Sequence, residues 1–292
     1  MDAFIFEAER VGRVWGAGER GSGGLPIGEW WLCSDYPTTP TRVARGSARG
    51  QTIQEIMTRY GRDFWGSAQQ RDRFPILVKQ LHARFPLPLQ VHPTDGSERK
   101  NECWYVKSSM PGGWVINRWA GEDFLVAQSI PGPDPLAFLI RDPVTPGTLI
   151  TVPAGGPHAL GPEVVALEIQ DTADVTIRIS LWGHDEWNLP IDGHRASEEF
   201  SRMRGRPQVL EGEGRQWVQQ DWQVQVMPAE TLRLDPRTPT VVINGNEMRW
   251  QMHSRSEVWL VNGLEAAMVL PGQSVILESL QGHCEWVVCE AR

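Results

Sequence analysis

Apolar side chains recur at alternate positions through much of the chain, in short runs separated by Gly, Pro or Asp. That spacing predicts half-buried strands. From Phe74 the runs are FPILVKQL, LPLQVHP, ECWYV, GWVINRW, FLVAQSI, GTLITVP, VVALEIQ and VTIRISLW. A second series follows Pro207: WQVQVMP, TLRL, TVVING, EMRWQM, EVWLVNG, AAMVL, SVILES and CEWVV. Helical spacing is confined to short pieces. Over Thr52 to Tyr60, Ile53, Ile56 and Met57 fall on one face, and Thr52 with Glu55 makes a capping box; a second short helix is expected over Ser197 to Met203.

Many short strands with dense turns describe a mainly β protein built as sandwich or barrel, not as alternating β and α units. The polar stretch between the two series reads as a linker. The expected division is therefore 1–183 with a helical insertion, a linker over 184–214, and a smaller β domain over 215–292.

Composition agrees. The 292 residues suffice for two cores, and 29 Gly with 22 Pro, scattered along the chain, disfavour long helices. A formal net charge of -8 argues against a nucleic-acid or anionic-membrane surface. No apolar run reaches the ~20 residues of a spanning helix, and Met1 to Arg10 lacks a cationic-then-apolar leader pattern. The expectation is a soluble, cytoplasmic protein. Cys33, Cys103, Cys284 and Cys289 form no CxxC pair and read as reduced packing residues. Lysine is scarce, with only Lys79, Lys100 and Lys107 among 28 basic residues, so each retained lysine is a candidate for a role that arginine cannot fill.

The chemistry concentrates in three fragments. GTLITVPAGGPH ends in a turn that delivers His158 to the next strand; QVHP places Gln90 and His92 on one strand face; and ECWYV puts Glu102 on the same face as Trp104. Singly, each is an ordinary histidine, turn or strand. Together, two imidazoles, one carboxylate and one amide from three strand ends make a ligand set for a divalent metal with positions left open, as catalytic sites have. The remaining histidines show no such pattern, although His82 lies just before the strand with Gln90.

These motifs, in the order QVHP, ECWY and PAGxxHA, resemble those of the type I phosphomannose (mannose-6-phosphate) isomerases in their short bacterial form, which are zinc-dependent cupins. The resemblance extends through GEWWLCSDYP (28–37), GQTIQEIMTRYG (50–61), FPILVKQLHARFPLPLQVHP (74–93), KNECWYV (100–106), VPAGGPHALG (152–161) and LEIQDTADVTIRISLWG (167–183). It implies two cupin-type (jelly-roll) β-barrels, the first holding one Zn2+ per chain on Gln90, His92, Glu102 and His158, the second without metal. It implies Lys100 and Arg178 as catalytic residues, with Lys79 and Arg178 binding substrate. The chain departs from the family after Arg178, where Ser180, Leu181, Trp182, Gly183 and His184 replace a pattern carrying Asp and Arg, and at Thr94, where the family has an acid; Asp95 is kept.

The implied reaction interconverts mannose 6-phosphate and fructose 6-phosphate through an enediol. It needs a proton carrier and a means of holding the developing oxyanion. An amine beside a metal cation gives up its proton more readily, which makes Lys100 a candidate carrier. The partner is a small sugar phosphate, with no nucleic acid and no membrane. Two alternatives remain: another metal cupin enzyme with a different substrate, such as an oxygenase, and a non-catalytic sugar-binding cupin, motivated by Leu181 and His184.

Overall fold

The computed structural model of the chain describes residues 3–46, 48–119, 139–212, 214–245, 249–254, 257–281 and 284–292. The expected strand FLVAQSI lies outside them. The fold is mainly β, and the chain packs as two compact units: Met1–Arg10 with Trp30–Gln80 and Glu211–Arg292, and Val11–Glu29 with Leu81–Leu210. This grouping differs from the linear division at 183 and 215. The reason is strand pairing: Ala3–Glu7 runs antiparallel to Glu265–Val269, so the start of the chain belongs with its end.

In the terminal unit a seven-stranded sheet has the order Gln216–Val218, Trp222–Ala229, Cys284–Ala291, Thr240–Asn244, Glu265–Val269, Ala3–Glu7, Arg42–Arg45. A four-stranded sheet runs Thr231–Leu234, Val275–Ser279, Arg249–His253, Val258–Asn262. Strict alternation in Val275–Ser279 sends Val275 and Leu277 inward and leaves Ile276 and Glu278 outside, as one buried face requires. Leu277, Met252 and Trp250 meet Trp286, Ile5 and Val288 of the larger sheet in one apolar core.

The other unit repeats the scheme. Its larger sheet runs Gln208–Leu210, Leu149–Val152, Glu102–Ser109, Val164–Asp171, and continues with its portions of Ile76–Ala83, Pro26–Cys33 and Glu9–Arg20. Against it lie Ala159–Leu160, Trp114–Trp119 and Leu139–Pro143 as one sheet, and Leu89–Val91 with Ile177–Ser180 as another. Trp104 and Ile150 from the first sheet pack with Val115 and Leu160 from the second. The layers are open sheets; among the described residues none closes into a barrel.

The capping box forms as expected: Thr52 Oγ1 accepts from Glu55 N, Glu55 Oε2 accepts from Thr52 N at 2.7 Å, and the helix runs Ile53–Tyr60. The later helix runs Gly193–Arg202, starting four residues before the expected Ser197. Its start is set by Asp192, whose side chain accepts from Arg195 N at 3.0 Å, an N-cap that the sequence reading passed over. Strand Gln208–Leu210 pairs with Leu149–Thr151. The stretch 184–214, expected as a linker, thus holds a helix and a sheet strand. All four cysteines are buried, and none is in a disulfide. Among the described residues no helix is long and apolar enough to cross a membrane.

Candidate metal and active site

Three strand ends deliver the site. Leu89–Val91 carries Gln90 and hands the chain on to His92; Glu102 opens the strand Glu102–Ser109; and His158 immediately precedes Ala159–Leu160. Gln90 and His158 pair backbone to backbone, Gln90 N donating to His158 O at 3.1 Å and His158 N to Gln90 O at 2.9 Å. The loop PAGG reaches back as well, Gly155 N donating to His92 O at 3.0 Å. Gly155 has φ +82, and a Cβ there would lie 2.5 Å from Glu199 O. Only glycine satisfies both the left-handed backbone and the close approach of the helix.

His92, Glu102 and His158 are fully buried, and one ligand atom from each lies within 4.8 Å of the others. His92 Nε2 is 3.2 Å from Glu102 Oε2, and His158 Nε2 is 3.2 Å from Glu102 Oε1. The rings' other nitrogens face carbonyls: His92 Nδ1 meets Val175 O, and His158 Nδ1 meets Gly156 O, both at 2.8 Å. A carbonyl only accepts, so each Nδ1 carries the proton. Burial pushes His158 down to about 3 against the pull of Glu102, and burial with Lys100 lowers His92. Burial by itself would raise Glu102, but Lys100 and the two imidazoles outweigh it and hold the carboxyl well below its usual range. Two neutral imidazoles therefore turn bare Nε2 lone pairs toward an ionised carboxylate. Neither carboxylate oxygen accepts a hydrogen bond of acceptable geometry, even with Lys100 Nζ 2.7 Å from Oε2. Lone pairs facing lone pairs in a buried site are what a cation resolves, and a donor set of two imidazoles and one carboxylate suits a divalent metal. Among the described residues this is the one such cluster.

Gln90 adds its amide, with Nε2 3.2 Å from His158 Nε2. Lys100 is buried, and its Nζ lies 3.2 Å from His92 Nε2 and 3.8 Å from Glu168 Oε1. Its loop is pinned at both ends: Lys100 N donates to Pro93 O at 3.1 Å, while Asp171 Oδ2 accepts from Asn101 N and Nδ2, both at 2.9 Å. Asn101 Oδ1 accepts from Ala154 N at 3.1 Å, which ties this loop to PAGG.

Arg178 sits directly opposite Gln90 in the antiparallel pair, so both side chains stand on one face of that sheet. Among the described residues its half-buried guanidinium makes no hydrogen bond, and burial with Arg13 lowers its pKa against the pull of Asp174. Arg13 itself is committed, its Nη2 2.8 Å from Glu29 and 3.4 Å from Asp174. Lys79 is buried on Ile76–Ala83 in the terminal unit, with Nζ 4.6 Å from the centre of the Trp31 ring. His82 is not part of the cluster.

The departures from the family pattern leave no hole. Leu181 is buried, and His184 stacks on Trp187 with ring centres 4.4 Å apart. Thr94 is held by a carboxylate from elsewhere: Glu199 Oε2 accepts from Thr94 N at 2.9 Å and from its hydroxyl at 2.6 Å. Sequence reasoning missed Glu168, which accepts from Trp104 Nε1 at 3.2 Å, and Gln170, which pairs in register with Glu102. The signal was present in VVALEIQD, where two polar residues stand two apart on the inward face of an otherwise apolar strand.

Fold and site together define a cupin-type β protein with a buried His–Glu–His centre. Residues 22–107 match the family model of the phosphomannose isomerase type I catalytic domain. The mannose-6-phosphate isomerase of Streptococcus mutans is 32% identical over 160 residues, 52% of this chain and 50% of that protein. Mannose-6-phosphate isomerase ManA of Bacillus subtilis is 32% identical over 183 residues, 57% of each. The chain spans about half the length of the curated relatives it matches. In structure it resembles mannose 6-phosphate isomerase from Bacillus subtilis over 99% of this chain and 100% of the other, with TM-score 0.78 at 18% identity. Over these residues the chain is thus similar to the type I phosphomannose isomerases, in line with its motifs.

Proposed function

We propose that the chain is a metal-dependent aldose–ketose isomerase that interconverts mannose 6-phosphate and fructose 6-phosphate. The observation that carries this reading is the position of Lys100 Nζ, buried within 3.2 Å of the His92 ring and 2.7 Å from Glu102. A lone metal site needs no buried amine at its ligands; a proton transfer beside it does. One Zn2+ per chain would be held by Gln90, His92, Glu102 and His158, the Nδ1 bonds of both histidines fixing which nitrogen each ring offers. Bound there, the metal would polarise the sugar oxygens and stabilise developing negative charge.

Lys100 moves the proton between C2 and C1 of the open-chain sugar. Arg178, with no hydrogen bond of its own among the described residues, binds the anionic end or the enediolate by charge-assisted hydrogen bonds. The motif resemblance also implies Lys79 as a substrate-binding residue. Burial excludes water from the enediol, which protects it from side reactions. A phosphorylated sugar does not cross membranes unaided, so the substrate places the enzyme in the cytoplasm.

A coupled assay on mannose 6-phosphate with metal analysis of the same preparation tests the reading. About one metal ion per chain and turnover are expected, together with exchange of the C2 deuterium of labelled substrate with solvent. Lys100→Ala should keep the metal and lower turnover ~100- to 10,000-fold. Lys100→Arg should fare no better, because a guanidinium does not deprotonate. Sugar binding without exchange would point to the non-catalytic alternative.

A further inference from the structure

Buried polar atoms without a partner are costly, at ~1 to 3 kcal/mol each, so a folded chain retains them where a ligand uses them. Among the described residues of the unit that holds the site, such side-chain atoms belong to three residues: Glu102, Gln170 and Asn117. Glu102 is accounted for by the metal reading. Gln170 is its neighbour in register; its Nε2 donates to Asp171 O and Ala173 O, which leaves only Oε1 without a partner. Asn117 is the extreme case. It is fully buried, and neither its amide nitrogen nor its amide oxygen has a hydrogen-bond partner.

Its place in the fold says what it faces. Strand Trp114–Trp119 pairs with Ala159–Leu160, Ile116 opposite Ala159 and Val115 opposite Leu160. Asn117 follows Ile116 directly on this strand, and His158 directly precedes Ala159 on its partner. Val115 and Leu160, the pair two positions away, lie in the core with Trp104, and the Trp104 ring meets the His158 ring edge-on at 5.4 Å. On its other side the strand slips register against Leu139–Pro143 between Ile116 and Arg118, a bulge centred on Asn117. Bulges re-aim side chains and recur beside active sites.

We infer that Asn117 is a substrate-binding residue of this site, its carboxamide donating to and accepting from a sugar hydroxyl. This rests on the isomerase reading above and deepens it. An amide pairs fully with a hydroxyl, itself both donor and acceptor, whereas a phosphate could satisfy only its N–H groups. The reacting carbons are C1 and C2, so the hydroxyl recognised is one further along the chain, at C3, C4 or C5. Asn117 then acts as a specificity residue: a sugar phosphate with no hydroxyl at that carbon leaves the amide unpaired in a dry site and is rejected.

The experiment compares wild type, Asn117→Leu and Asn117→Ser on mannose 6-phosphate and on its 3-deoxy, 4-deoxy and 5-deoxy analogues, with KM, kcat, bound metal and melting temperature for each. Leu keeps the branching and the number of side-chain heavy atoms, is somewhat bulkier, and forms no hydrogen bond. It should raise KM about 10- to 100-fold with kcat and metal content little changed, and should leave the melting temperature equal or higher because an unpaired polar group has gone. Ser, which is smaller and folds without crowding, keeps a hydroxyl and should fall between. Against one deoxy analogue, wild type and Asn117→Leu should bind alike. A wild-type enzyme that turns over mannose 6-phosphate while both variants keep its KM overturns the Asn117 assignment alone. So does an unchanged KM with a lowered melting temperature, the mark of a structural amide. A wild-type chain that neither binds nor isomerises the sugar overturns the isomerase reading and the assignment with it.

Discussion

The two units solve the same packing problem with different interiors. In the terminal unit the space between the sheets is filled by Trp250, Trp286, Met252 and Leu277, a core of apolar rings and branches. In the other, Trp104, Ile150, Val115 and Leu160 fill part of that space. The rest is given to buried Gln90, His92, Lys100, Glu102, Asn117, His158, Glu168 and Gln170. Buried charge lowers stability unless it is paired, so the second interior is kept for chemistry and the first for holding the chain together.

The sharpest way to break this comparison is to remove a ligand from one interior and bulk from the other. His158→Ala should abolish bound metal and turnover while the β fold survives, as read by metal analysis and circular dichroism, because it deletes one donor from a set that has no substitute nearby. Full metal occupancy in this variant would refute the assignment. Trp250→Ala, in the terminal unit, should cost about 3 to 5 kcal/mol in denaturant unfolding through the cavity it leaves. The folded fraction should retain its metal. A Trp250→Ala protein that folds with wild-type stability would show that the apolar core is not what stabilises its unit.

Acid separates the interiors by sign. In the metal-stripped chain, unfolded His158 takes up its proton near its ordinary 6.5, and burial delays this in the folded state to about 3. Between those values the unfolded state binds more protons, so stability falls as pH falls, on the order of 5 kcal/mol for this group. Glu102, held low, acts in the same direction at more acid pH: its contribution is present above its unfolded pKa and is lost as pH falls through its folded one. Asp35, in the terminal unit, is pushed up by burial to about 6. Its unfolded carboxyl ionises first, so its effect is a loss of stability as pH rises from about 4 to 6. Urea melts across pH 3 to 7 should lose the first slope in His158→Asn and the second in Asp35→Asn. An unchanged slope in either variant would show that its group is not buried as described.

Much of the candidate site was legible because its proposed ligands sit at strand ends beside turns. QVHP, ECWY and PAGGPH each carry a Gly or Pro or an alternation that fixes where the side chain goes, and the structure brings Gln90, His92, Glu102 and His158 together. Asn117 was not legible. In GWVINRW it occupies a polar position in an alternating strand, which one sequence cannot assign to the inward or outward face, and the bulge that marks it is a property of pairing with a strand more than twenty residues away. The units were not legible as linear segments either, since the pairing of Ala3–Glu7 with Glu265–Val269 leaves no local signal. Asp192 was legible and overlooked: an Asp before GHRAS is an N-cap, and the helix begins there.

The smallest expected effect is also the closest comparison, because each unit contains a clamp made of one threonine and one glutamate. Thr52 and Glu55 close the capping box of a helix that carries no site residue. Thr94 and Glu199 join the chain just after His92 to the helix Gly193–Arg202, whose Ala196 packs on Val91 and Ile177. Thr52→Ala removes one cap acceptor and should cost about 1 kcal/mol, with KM, kcat and metal content unchanged. Glu199→Ala leaves the half-buried Thr94 N–H without its partner and should cost a similar ~1 kcal/mol; alanine is a good helix former, so the helix itself is spared. Here activity should fall too. The segment Pro93–Lys100 links Thr94 to the proposed proton carrier, and the bond from Lys100 N to Pro93 O holds only while that segment keeps its shape. Turnover should drop several-fold with metal retained, because Lys100 is displaced and the ligands are not. If both variants lose stability alike and neither loses turnover, the second clamp is only a fastening, and the positions around Thr94 matter to the fold rather than to the chemistry.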